Sequence, residues 1–170
     1  YKRWSIEKFK ALVKKISDEY PDMQIVVFRG PGEQDIDLSG MRGMGCIIMD
    51  GYSVLETAPV IKKMDLVLSN DSGIAHIAAA VDTPVAVIFG PTHPGITRPW
   101  GDEVTVIETG YGCSRCYTGK NYLKSCAKNT DCLNEIAVER VYDALNEVIL
   151  KSSKVEPKVK ISTDRSEGLI

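Results

Sequence analysis

Five short, largely apolar runs punctuate the chain: residues 24–28 (QIVVF), 45–51 (GCIIMDG), 65–70 (DLVLSN), 84–90 (PVAVIFG) and 103–109 (EVTVIET). Each is bounded by turn or polar residues and is too short for a helix, the pattern of a buried strand. Around them apolar positions recur at helical spacing. In SIEKFKALVKKISDEY, Ile6, Phe9, Leu12, Val13 and Ile16 share one face. Ser5 is an N-cap type, although Lys8 stands where a capping box would put an acid. Pro21 and Asp22 end this helix. VLETAPVIKKM (54–64), the small-residue segment 72–81 and AVERVYDALNEVILK (137–151) read as three more. The last carries Val138, Val141, Leu145, Val148 and Ile149 on its apolar face. Continuously apolar strands alternating with helices predict an α/β domain, a Rossmann-like doubly wound parallel sheet covered on both faces. Ligands of such sheets bind beyond the carboxyl ends of the strands.

Size and charge narrow this picture. The chain has 170 residues, enough for one domain with a real core. Its 21 basic and 23 acidic residues leave a net charge of −2, so a nucleic-acid partner is not expected. No apolar run reaches membrane-spanning length and there is no signal-peptide pattern, which predicts a soluble, cytoplasmic protein. The chain begins at Tyr1, so an upstream segment is expected to have been removed. Residues 1–150 carry the periodic pattern. Residues 151–170 are polar and aperiodic and read as a mobile tail. There are no internal repeats.

The polar clusters that end two of the strands carry the chemistry. Asp71 and Ser72 follow the third strand at a helix start, and both are good N-cap types. A helix N-terminus offers free N–H groups and the positive end of the macrodipole. Gly73 lets an anion approach the backbone, which makes this a ready phosphate site. His76 stands four residues after Ser72, on the same helix face. Gly90-Pro91-Thr92 ends the next strand and would border the same crevice. The spacing alone is equally compatible with an ordinary cap, a satisfied histidine and a turn. Glu33, after the first strand, could accept two ribose hydroxyls or be a solvated loop acid. GMRGMG (40–45) precedes its strand, and RGPGE (29–33) lacks a third glycine. Neither has the strand, G-x-G-x-x-G, helix order of a dinucleotide site, so an oxidoreductase is not expected.

Together these residues carry a family resemblance. SNDSGIAHIAAAVDTPVAVIFGPTHPGITRPWG resembles the signature of glycosyltransferase family 9, the bacterial ADP-heptose:lipopolysaccharide heptosyltransferases. KRWSIEKFKALV resembles the Lys-x-Trp segment that opens the first helix of that family's C-terminal half. FRGPGEQD resembles its Gly-Gly-Pro-x-Glu turn, with Arg29 in place of the first glycine. CSRCY and DCLNEIAVERV resemble its cysteine-bearing loop and closing helix. The resemblance covers roughly residues 1–150. It implies the C-terminal, donor-binding lobe of a two-lobed GT-B enzyme, with an N-terminal lobe as its partner.

The resemblance also implies roles. Lys2 would contact the donor diphosphate and Glu33 the ribose. Tyr52 and Ser53 would lie beside the nucleobase, and Asp71 would contact the donor sugar. Ser72 and Gly73 would support the diphosphate, with His76 and Thr92 nearby. Lys2 and Asp71 are the candidate catalytic residues. The donor would be a nucleotide-diphosphate sugar, ADP-heptose by family expectation. The acceptor would be a lipopolysaccharide-core or protein hydroxyl, and the full-length protein would be cytoplasmic or peripheral at the inner membrane. In the family the general base lies in the N-terminal lobe, and a strand with a Gly-rich turn precedes the Lys-x-Trp segment. Neither falls within these residues, so this chain alone is expected to be inactive, with an exposed sheet edge.

Five cysteines remain. Cys46, in an apolar run, reads as an inert core thiol. Cys113, Cys116, Cys126 and Cys132 follow the spacing C-x2-C-x9-C-x5-C and could hold structural Zn or Fe. Free thiols and, in an oxidising compartment, disulfides are the alternatives. No catalytic cofactor is expected. A rival reading of the whole chain is a non-catalytic assembly module, with a metal-stapled cysteine loop and a vestigial nucleotide crevice.

Overall fold

The computed structural model describes residues 2–30, 32–110, 115–116 and 131–152, without the side chains of 131 and 152. In chain order the elements are α1 (Ile6–Glu19), β1 (Val26–Arg29), α2 (Ser39–Gly43), β2 (Ile47–Asp50), α3 (Val54–Ile61) and β3 (Val67–Asn70). There follow α4 (Gly73–Ala80), β4 (Val85–Phe89), α5 (Pro94–Thr97), β5 (Val104–Glu108), α6 (Asp131–Asn134) and α7 (Val138–Ser152). All five expected strands form, each trimmed by one to two residues at its amino end. All strand pairing is parallel. β1 pairs with β2, with Val26 opposite Ile47 and Arg29 opposite Asp50. β4 lies between β3 and β5 in a three-stranded sheet.

β4 shows why the chain folds as layers. Every residue in it is buried. Ala86 and Ile88 face a core built with Leu12 and Ile16 of α1 and Val141 and Leu145 of α7. Val85, Val87 and Phe89 face the opposite core, with Ile61 of α3 and Ala75 and Ala78 of α4. Strand side chains alternate between faces, so an unbroken apolar run needs a helix layer on each side. That is the doubly wound arrangement.

α1 belongs to two cores at once. Its Leu12 and Ile16 join the core over the three-stranded sheet. Its Val13 joins Leu38, Met41 and Cys46 over the two-stranded sheet. On the other face, Phe28 of β1 packs against the core that holds Val67 of β3. The two sheets therefore share both helix layers, yet β1 and β3 are not hydrogen-bonded to each other.

The expected helices form at 6–19, 54–61, 73–80 and 138–152. α3 carries Pro59 and stops at Ile61, three residues before the expected end. α2, α5 and α6 were not expected. GMRGMG, read as turns, instead contains most of α2, whose Met41 is 2% exposed. None of the described helices is long and apolar enough to cross a membrane. The expected tail lies outside the described residues from 153 onward.

Candidate functional site

Residues 2–4 run across the carboxyl ends of β1 and β3, and Trp4 fixes them there. Its backbone N–H donates to Asn70 Oδ1 at 2.9 Å, and its indole Nε1 donates to the Ile136 carbonyl at 3.0 Å. The ring is 2% exposed and meets Phe9 edge-on at 5.0 Å. This anchor aims the flanking basic side chains. Lys2 Nζ donates to Asp71 Oδ2 at 2.9 Å, and the Asp71 side chain is only 7% exposed. Arg3 Nε lies 3.2 Å from Glu33 Oε1. The other Glu33 oxygen accepts the Gly30 N–H at 2.8 Å. An ionised carboxylate has about four acceptor positions, so Glu33 is oriented but keeps acceptor capacity.

Two helices start near this mouth, and their ends are finished differently. α3 is closed by a full capping box between Ser53 and Glu56. The Ser53 hydroxyl and N–H both bond the Glu56 carboxylate, at 2.6 and 2.9 Å. These bonds hold the Glu56 carboxyl below its ordinary range. α4 has Ser72 as N-cap, but its side chain makes no capping bond. Its hydroxyl lies 2.9 Å from Ser69 Oγ instead. A Cβ added at Gly73 would meet nothing within 4 Å. The first N–H groups of α4 therefore open onto free space, beside a lysine. Of the two ends, this is the one that can take an anion.

The structure brings most of the expected residues together. Lys2, Glu33, Tyr52, Ser53, Asp71, Ser72 and Gly73 all line one cavity of about 2300 Å³. His76 and Thr92 do not line it. His76 is on the exposed side of α4. Thr92 is fully buried, with its hydroxyl lacking a partner among the described residues, so it does not border the crevice as expected. Arg3, Trp4 and Asn70 were missed as site residues. Arg29 pairs with Asp50, its register partner, at the carboxyl ends of β1 and β2.

Of the four clustered cysteines, Cys113 and Cys126 lie outside the described residues. Cys116 is exposed and Cys132 is buried. Cys132 packs under β4's end, where a Cβ on Gly90 would come within 3.2 Å of its sulfur. Among the described residues no three His, Cys, Asp or Glu side chains cluster so as to hold a metal. Burial pushes the Cys46 thiol up, as suits an inert core residue.

The structure is a parallel α/β domain with an open helix start and a lysine–carboxylate pair at its strand ends, the place where ligands of such sheets bind. The glycosyltransferase family 9 (heptosyltransferase) model matches residues 1–127. The chain belongs to that family. It is 27% identical over 160 residues to lipopolysaccharide heptosyltransferase 2 of Escherichia coli K12, covering 88% of this chain and 43% of that one. The solved ADP-heptose lipopolysaccharide heptosyltransferase II of E. coli matches with a TM-score of 0.69 and 24% identity, over 89% of this chain and 43% of that one. An E. coli heptosyltransferase solved with ADP-2-deoxy-2-fluoro heptose matches with a TM-score of 0.64 and 22% identity, over 86% and 39%. The fold is that of GT-B heptosyltransferases, and the chain spans under half the length of these relatives.

Proposed function

We propose that this chain is the donor-binding lobe of an inverting transferase that uses ADP-heptose, with a lipopolysaccharide-core or protein hydroxyl as acceptor. The observation that carries this reading is the open start of α4 beside the Lys2–Asp71 pair, with Glu33 on the same cavity wall. The donor sugar is supported by the solved relative that holds a fluorinated ADP-heptose.

In this mechanism the acceptor oxygen attacks the anomeric carbon as the bond to the diphosphate breaks. Negative charge then grows on the leaving ADP. Stabilising such developing charge with preorganised donors is a large catalytic term. The Lys2 ammonium and the first N–H groups of α4 supply it. Asp71 orients Lys2 and accepts a hydroxyl of the sugar. Glu33, held by Arg3 and Gly30, accepts the ribose hydroxyls, and Tyr52 lies beside the base. The base that deprotonates the acceptor belongs to the partner lobe, so this chain alone performs no transfer. A structural metal at Cys113, Cys116, Cys126 and Cys132 is part of the same proposal. Elemental analysis of the purified chain tests it, and one equivalent of Zn or Fe is the expected result.

Calorimetric titration with ADP tests the donor site. Lys2→Ala should weaken ADP binding about tenfold or more, roughly 1.4 kcal/mol. Unchanged affinity would remove Lys2 from the site.

A further inference from the structure

α6 is four residues long, too short to be stable by itself, and the contacts that seat it reach both the sheet and α1. Leu133 lies against Gly90 at the end of β4, where an added Cβ would come within 2.5 Å of its Cγ. The Thr109 hydroxyl, just past β5, donates to the Cys132 carbonyl at 3.2 Å. The residues that follow offer their carbonyl groups to the start of α1. The Trp4 indole and the Lys8 ammonium both donate to the Ile136 carbonyl, at 3.0 and 2.9 Å, and Lys8 also donates to the Asn134 carbonyl. A carbonyl oxygen has two lone pairs, so the indole and the ammonium share Ile136 without competing. An ammonium is also the charge that suits the carbonyl end of a helix.

From this junction two hydrogen bonds step to the candidate site. The Trp4 N–H donates to Asn70 Oδ1, and Lys2 Nζ donates to Oδ2 of the adjacent Asp71. The end of β3 thus holds residues 4 and 2 side by side. Trp4 is bonded through its backbone to β3 and through its indole to Ile136, so a displaced Ile136 turns Trp4 and draws Lys2 away from Asp71. Trp4 reaches the cavity wall, whereas neither Lys8 nor Ile136 lines the cavity. These two residues act on a ligand there only through the segment they hold.

We infer that Lys8 is a positioning residue for the donor site: by clamping the Asn134 and Ile136 carbonyls against the start of α1, it keeps Trp4 in place and Lys2 on Asp71. The turn that follows Cys132 is thereby coupled to nucleotide affinity without touching the nucleotide. Chains of packed side chains and hydrogen bonds carry coupling of this kind. The consequence for ADP rests on the donor reading of the cavity. The hold on Lys2 does not, because it follows from the bonds within the chain.

The test compares Lys8→Met, which keeps an apolar stem and loses the ammonium, with Lys8→Arg, which keeps a charged donor. Urea melts first set a temperature at which every variant is folded. The rate at which an amine-reactive ester acylates Lys2 is then followed without nucleotide by fragmentation mass spectrometry. Lys14, exposed on α1, serves as the internal reference. Calorimetry gives the ADP affinity of the same proteins. In Lys8→Met, Lys2 should acylate about fivefold faster relative to Lys14, and ADP should bind about fivefold more weakly, the low end of couplings between sites. Lys8→Arg should stay close to wild type in both. A merely structural role would lower the urea midpoint and move neither reading. Unchanged acylation in Lys8→Met overturns the inference, as does faster acylation with unchanged ADP affinity. Equal effects of Met and Arg overturn it too, by removing the charged donor as the cause. A wild-type chain that binds no ADP sinks the donor reading alone, and the Lys2 rate still decides the role of Lys8.

Discussion

Gly73 and Gly90 each stand just past a strand's carboxyl end, and they differ in what surrounds them. A Cβ at Gly90 would lie 2.5 Å from Leu133 Cγ and 2.8 Å from its Cδ2. Gly90→Ala should therefore push α6 off the end of β4 and cost about 1–3 kcal/mol, as overpacking does. Gly73 faces open space, so Gly73→Ala should leave stability within about 0.5 kcal/mol of wild type. It should still weaken ADP binding, because the added methyl sits where a phosphate would meet the helix start. Urea melts and ADP titrations of the two variants check both halves. A Gly73→Ala protein with wild-type ADP affinity would contradict the site. At this scale the sequence was legible where a motif marked it: Lys2, Glu33, Asp71, Ser72 and Gly73 meet as expected. Arg3 and Asn70 were not, because their bonds cross long stretches of chain and leave no local pattern. Thr92 was misplaced because a hydroxyl after a strand reads as crevice lining, whereas the structure encloses it completely.

At the scale of elements, the contrast between α3 and α4 matters most. α3 ends its own N-terminus with the Ser53–Glu56 box, and the Glu56 carboxyl sits below its ordinary value because of those bonds. The folded state thus favours ionised Glu56. That contribution is present above the unfolded carboxyl's range, about 4.3, and is lost as the pH falls through the lower folded value. Ser53→Ala should cost about 1 kcal/mol at neutral pH and flatten this part of the acid profile. Denaturant melts between neutral and acid pH check it, and an unchanged slope would contradict the assignment. The long helices were legible from their apolar spacing. α2, α5 and α6 span five, four and four residues, too few turns to show a period. In α2 the glycines argue against a helix, and burial of Met41 overrides them.

For the whole molecule, the parallel α/β class was legible from strands that are apolar on both faces. The division into two sheets was not, because it depends on which edges find a partner rather than on the character of β1 or β3. The chain spans under half the length of its relatives, and the proposed acceptor base lies in another lobe. Supplied with ADP-heptose and acceptor, the 170-residue chain should therefore show no transfer by mass spectrometry. Transfer by this chain alone would place the base within it. The central claim is that the start of α4, with Lys2, Asp71 and Glu33, binds the nucleoside diphosphate of an ADP-sugar. Thermal denaturation with ADP, UDP, GDP and NAD at equal millimolar concentration tests it most directly. ADP at about 100 times its dissociation constant should stabilise the fold by roughly 2.7 kcal/mol and raise the melting temperature selectively. No shift with ADP, or a larger one with another nucleotide, would contradict the claim.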